Sequence, residues 1–225
     1  QSEQAKELLR RDFLYGVLRG RIDAGEVNSA YFAELDVQLL AEAPVLLLLG
    51  KANPLSEHAS YADKVKQLYR IRTVARSYLT SHTAFVDFVH EQDVLIWLLQ
   101  PLPTGREDAG NEQEAWARLV TYLKGSLELV LDACREASDA ELSLVLDDSP
   151  VEWSNAPDRF AQLRMLMNYR IGRTGGVLLD KQAARSDKQI EGQRVSRMHI
   201  KPAVLDLLAE QLEHGRRDEF ARTLR

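Results

Sequence analysis

The sequence predicts an all-α protein: an irregular bundle of roughly six to eight helices, with at most one short β-hairpin near residues 176–200. Three observations point there. Apolar residues recur at three- and four-residue spacing along most of the 225 residues. Gly and Pro are scarce, 12 and 7 in all, which favours long helices over many strands and turns. Helix-start signals also precede several of the apolar stripes.

The elements follow in order. Ser2 can cap a first helix whose stripe is Leu9, Phe13 and Val17, flanked by Leu14 and Leu18, with Gly20 as its stop. A turn at residues 23–26 leads to a second helix from about Asn28, in which Tyr31, Leu35, Leu39 and Ala43 align. Pro44 must end or kink it, because proline lacks a donor and its ring meets the preceding turn. The Leu-rich stretch 45–49 reads as a short buried helix closed by Gly50. Residues 57–99 are the longest periodic region. Tyr61, Val65, Leu68, Ala75 and Leu79 align in its first half, and Phe85, Phe88, Val89, Ile96 and Leu99 in its second. That span is long for one globular helix, so the polar cluster 80–83 is read as a break, with Ser81 or Thr83 capping the second piece.

Residues 100–110, with Pro101, Pro103 and Gly105, form the clearest loop. It divides an N-terminal helical subdomain, 1–100, from a C-terminal one, 111–225, within one compact unit. Asn111 and Glu114 resemble a capping box ahead of the cleanest helix, with Trp116, Leu119, Val120, Leu123, Leu127, Val130 and Cys134 on one face. Ser138 and Glu141 repeat the box, yet Leu142, Leu144 and Leu146 alternate as a strand would, so 139–147 stays open between the two. Pro157 suits the first turn of a further helix carrying Phe160, Leu163, Leu166 and Met167 towards a Gly172 stop. Residues 172–201 form a long polar loop, and Pro202 begins a last helix with Val204, Leu207, Leu208 and Leu212.

Composition narrows the class. Apolar residues at 45% and charged residues at 28% exclude wholesale disorder. The lone Cys134 excludes an internal disulfide framework, and its spacing makes it a small core residue. The longest purely apolar run, 44–49, is far too short to cross a bilayer, so cytoplasmic residence without membrane association is expected. Arg outnumbers Lys by 21 to 8, the habit of a GC-rich bacterial genome. The chain opens Gln1-Ser2-Glu3 and ends inside a helical pattern, which reads as a piece of something longer.

Charge is the sharpest departure from an ordinary helical protein. Residues 158–201 hold ten Lys/Arg against four Asp/Glu, and residues 132–152 hold seven acids against one base, in a chain of net −5. Arg170, Arg173, Lys181, Arg185, Lys188, Arg194, Arg197 and Lys201 recur every three to eight residues among Gly, Ser and Gln. Mobile cations so spaced can follow a polyanion and release its counterions. They can equally meet an acidic protein, or the chain's own acidic stretch, and a pI near 5.6 argues against a generic nucleic-acid binder.

Catalytic signatures are absent. Gly172-Arg-Thr-Gly-Gly lacks both the Walker ending and the dinucleotide spacing. His82 and His90, eight apart, cannot share a metal from one helix, and His58, His199 and His214 are isolated. Asp147-Asp148-Ser149-Pro150 reads as a helix end and turn. No cofactor or metal site is therefore expected. The sequence favours a non-enzymatic helical adaptor or accessory subunit that offers its basic segment to a protein partner, with a DNA- or RNA-binding regulator as the alternative.

Overall fold

The leucines at 46–49 lie at the centre of a β-sheet, not in a helix. The computed structural model describes residues 2–54, 56–91, 94–103, 111–138, 140–147, 149–168 and 176–179. Five strands occur there: β1 (Leu46–Pro54), β2 (Thr83–His90), β3 (Val94–Pro101), β4 (Ala140–Leu146) and β5 (Gly176–Leu179). Their order is β2-β3-β1-β4-β5. The first four pair antiparallel, and β5 joins parallel to β4, with Val177 opposite Leu144. Helices α1 (Glu3–Leu18), α2 (Ser29–Glu34), α3 (Tyr61–Leu79), α4 (Glu112–Ala137) and α5 (Ala156–Asn168) flank the sheet. The protein is mixed α/β, which overturns the all-α class and the helical bundle.

The physical reason lies in the two faces of the sheet. Leu47 and Leu49 pack with α1, α2 and α5 on one side, whereas Leu46 and Leu48 pack with α3 and α4 on the other. A strand buried on both faces reads as an unbroken apolar run with no alternation, and periodicity cannot separate it from a buried helix. β3 repeats the pattern: Ile96 and Leu98 point to the first layer, and Leu95, Trp97 and Leu99 to the second. The expected second helix of the 57–99 region is thus the β2–β3 hairpin, and Phe85, Phe88 and Trp97 are sheet residues. Gly50 closes no helix. A Cβ on Gly50 would stand 2.9 Å from Trp97 Cζ3 and 3.2 Å from Leu144 Cδ2, so the bare backbone makes room for the indole.

Other boundaries move for local reasons. α1 begins and ends as read, with Ser2 Oγ accepting from the Ala5 amide and Gly20 at φ +71° just beyond its end. α2 stops at Glu34 instead of reaching 43. Asp36 turns the chain at φ 58°, after which Val37, Leu39 and Ala41 are buried at every second residue, as in extended chain. The Gln100 side chain fastens that stretch, accepting from the Leu40 amide at 2.8 Å and donating to the Leu40 carbonyl at 2.9 Å. Asn111 occupies the N-cap of α4 but makes no side-chain capping bond. Ser138 ends α4 by donating to the Cys134 carbonyl at 2.7 Å, and the alternating leucines after it form β4. Cys134 is fully buried, and burial pushes its thiol up to about 12. The helix expected from Pro202 lies outside the described residues.

Candidate macromolecule-binding surface

α3 begins with a full capping box: Ser60 Oγ accepts from the Asp63 amide, and the Asp63 carboxylate accepts from Ser60 Oγ and the Ser60 amide. Those bonds, the hydroxyl first and the amide second, hold the Asp63 pKa below its ordinary value. The helix buries Gln67, Leu68, Ile71, Ala75 and Leu79 against the sheet and α4. Its remaining surface is unusual in composition. The helix carries Lys64, Lys66, Arg70, Arg72 and Arg76 against the single acid Asp63.

At about 100° per residue, Tyr61, Arg72, Val65, Arg76 and Tyr69 fall within about 80° of one another on one flank of α3. Tyr61 is 68% exposed, Val65 47% and Tyr69 71%. Tyr15, Tyr31 and Tyr122 each make a ring contact, with His90, Phe13 and His82 respectively. Tyr61 and Tyr69 make none among the described residues. Lys64, Lys66 and Arg70 likewise form no ion pair within 4.0 Å among the described residues, although Lys66 acts on Asp63 through space.

The two arginines on that flank are engaged. Arg72 Nε lies 3.3 Å from Asp87 Oδ2 and its Nη2 3.5 Å from Glu7 Oε1. Arg76 Nη2 lies 3.1 Å from Asp87 Oδ1. Burial works against the Arg72 charge, but Asp87 and Glu7 outweigh it and hold its pKa above the ordinary value. These groups line a cleft of about 470 Å³ between α1 and α3, together with Glu3, Arg10, Tyr69 and Thr73. A second cleft of about 530 Å³ shares Arg10, Arg76 and Asp87 and runs along Thr83, Ala84, Phe85 and Val86. β2 is the terminal strand of the sheet, so that cleft follows its outer edge.

The eight cations singled out in the sequence, Arg170, Arg173, Lys181, Arg185, Lys188, Arg194, Arg197 and Lys201, all lie outside the described residues. Of the 172–201 segment the structure describes β5 alone. Within the acidic stretch, Asp147 is fully buried at the end of β4, where Arg159 Nη1 sits 2.6 Å from both carboxylate oxygens. Of the described histidines, His82 stacks on Tyr122, whereas His90 stacks on Tyr15 and sits 3.3 Å from Glu91. No group of three or more His, Cys, Asp or Glu suited to a metal ion occurs among the described residues. No helix among them is long and apolar enough to cross a membrane.

Sequence reasoning missed the α3 surface by assigning Tyr61 and Val65 to the buried stripe. The available signal was two apolar rows on one helix, 61-65-69 and 68-71-75-79, more than one face can bury. Comparison with protein-family models, with curated proteins and with solved structures returns no match.

Proposed function

We propose that the protein is a non-enzymatic, cytoplasmic accessory subunit that binds nucleic acid through the α3 surface, with the basic 172–201 segment as a second contact. One observation carries this reading: on a chain of net −5, one helix carries three cations free of ion pairs among the described residues and two exposed, unstacked tyrosines. Phosphates take the cations, and aromatic faces among basic groups serve bases better than they serve an acidic protein. Fluorescence anisotropy with labelled DNA and RNA at 50 and 200 mM salt tests it. Three phosphate contacts on a single strand give a slope of about −2 in log K against log salt, or roughly a 16-fold loss over that range. The triple change Lys64→Gln, Lys66→Gln, Arg70→Gln should flatten that slope. Charge reversal at Arg185, Lys188 and Arg194 measures what the second segment adds. Absence of binding at the lower salt sinks the reading.

The groove along β2 favours a second reading, the adaptor. An extended segment of a protein partner could add to the outer edge of Thr83–His90, which pairs with no further strand among the described residues, beside Arg10 and Arg76. A pull-down whose yield depends on that edge, with no salt-steep binding to either nucleic acid, would favour the adaptor.

A further inference from the structure

We infer that the nucleic acid taken by α3 is single-stranded, its bases stacked on Tyr61 and Tyr69; this rests on the nucleic-acid reading above. A duplex meets a surface helix through its phosphates, or through the side chains that reach base edges in a groove. Its own bases are already stacked, so two exposed phenol rings gain nothing from them. An unpaired strand offers ring faces, and stacking on tyrosine is tolerant of sequence. The α3 surface has that form. Tyr61 and Tyr69 lie eight residues apart, about 12 Å along the axis. That is several times the rise of about 3.4 Å between stacked bases of a duplex, so each ring takes a different base of an unstacked strand. Val65 lies between them, 47% exposed, and extends the apolar floor. At about 100° per residue Lys66 and Arg70 follow Tyr69 around the helix by about 60° and about 100°, and Lys64 lies about 60° to the other side of Tyr61, so cations flank the rings on both sides.

The division of labour gives the test its discrimination. Removing a ring removes stacking and leaves charge unchanged, whereas removing a cation changes the number of counterions released. Full-length protein is titrated into a fluorescein-labelled 20-mer of mixed sequence, once single-stranded and once as a duplex, across a salt series. The single strand should bind more tightly. Tyr69→Ala and Tyr61→Ala should each weaken single-strand binding roughly 5- to 150-fold with the salt slope unchanged. Tyr69→Phe should restore it. Both rings are exposed, so these variants fold, which circular dichroism verifies. Equal binding of the two forms, or tyrosine changes without effect on affinity, overturns the single-strand inference while the nucleic-acid reading stands. Failure of both oligonucleotides to bind at 50 mM salt overturns the reading and the inference together.

Discussion

Asp147→Asn should be among the most damaging single changes in the described chain. The carboxylate is completely buried where β4 hands over to the turn before α5, and its amide donates to the Leu47 carbonyl at 3.0 Å. Arg159 Nη1 sits 2.6 Å from both of its oxygens and 3.3 Å from the Ser149 carbonyl, so one guanidinium ties the end of β4 to the following turn. The Arg159 side chain is itself mostly buried. Asparagine keeps the shape and removes the charge, leaving a desolvated cation opposite a neutral amide. Breaking a buried pair from one side costs roughly 3–5 kcal/mol, because the orphaned charge stays out of water. For a chain of this size that is a fall of about 6–20 °C in melting temperature. Urea unfolding followed by circular dichroism reads it as a lower midpoint at unchanged slope. Adding Arg159→Met should recover much of the loss, since the stranded charge is then gone. A single variant within about 0.5 kcal/mol of the parent, the size of an ordinary surface change, would refute the view that this pair holds the β4–α5 junction.

Two further expectations follow from the geometry. Gly50→Ala forces a Cβ to within 2.9 Å of Trp97 and should destabilise by roughly 1–3 kcal/mol, read as a lower urea midpoint with altered tryptophan fluorescence. His90 stacks on Tyr15 at 3.5 Å between ring centroids. Burial holds its pKa below the ordinary value, against Glu91 and with help from Arg164 and Arg11. Below the unfolded pKa of about 6.5 the unfolded chain binds the proton more readily than the fold does, so His90 withdraws stability as pH falls. His90→Phe keeps the stack and should lose less melting temperature than the parent between pH 7.5 and 5.5; equal losses would show that His90 is not responsible.

What could be read from the chain divides by burial. α1, α4 and α5 each keep one wet face, so their 3.6-residue stripes and their boundaries at Ser2, Asn111 and Pro157 are visible. β1 and β3 have no wet face, and Leu46–Leu49 and Leu95–Leu99 show neither period. Only neighbours on both sides of the sheet, supplied by distant parts of the chain, decide the matter. β4 was half legible because Leu142, Leu144 and Leu146 face α4 across intervening residues of mixed character. The α3 surface was hidden by the same ambiguity in reverse. Tyr61 and Val65 continue the phase of Leu68 closely enough to pass for core, and their exposure follows from the side on which α4 packs.

The sheet order also bears on how far a polyanion held on α3 could run across the described face. α3 packs over β1 and β2, whereas β5, the described part of the 172–201 segment, forms the opposite edge. Four inter-strand steps separate β2 from β5, about 19 Å. Between them on the same face lies α4, packed over β3, β4 and β5. Its charges are Glu112, Glu114, Glu128, Asp132 and Glu136 against Arg118, Lys124 and Arg135. A polyanion laid straight from α3 towards β5 would cross a helix of net negative charge, where like-charge repulsion opposes it.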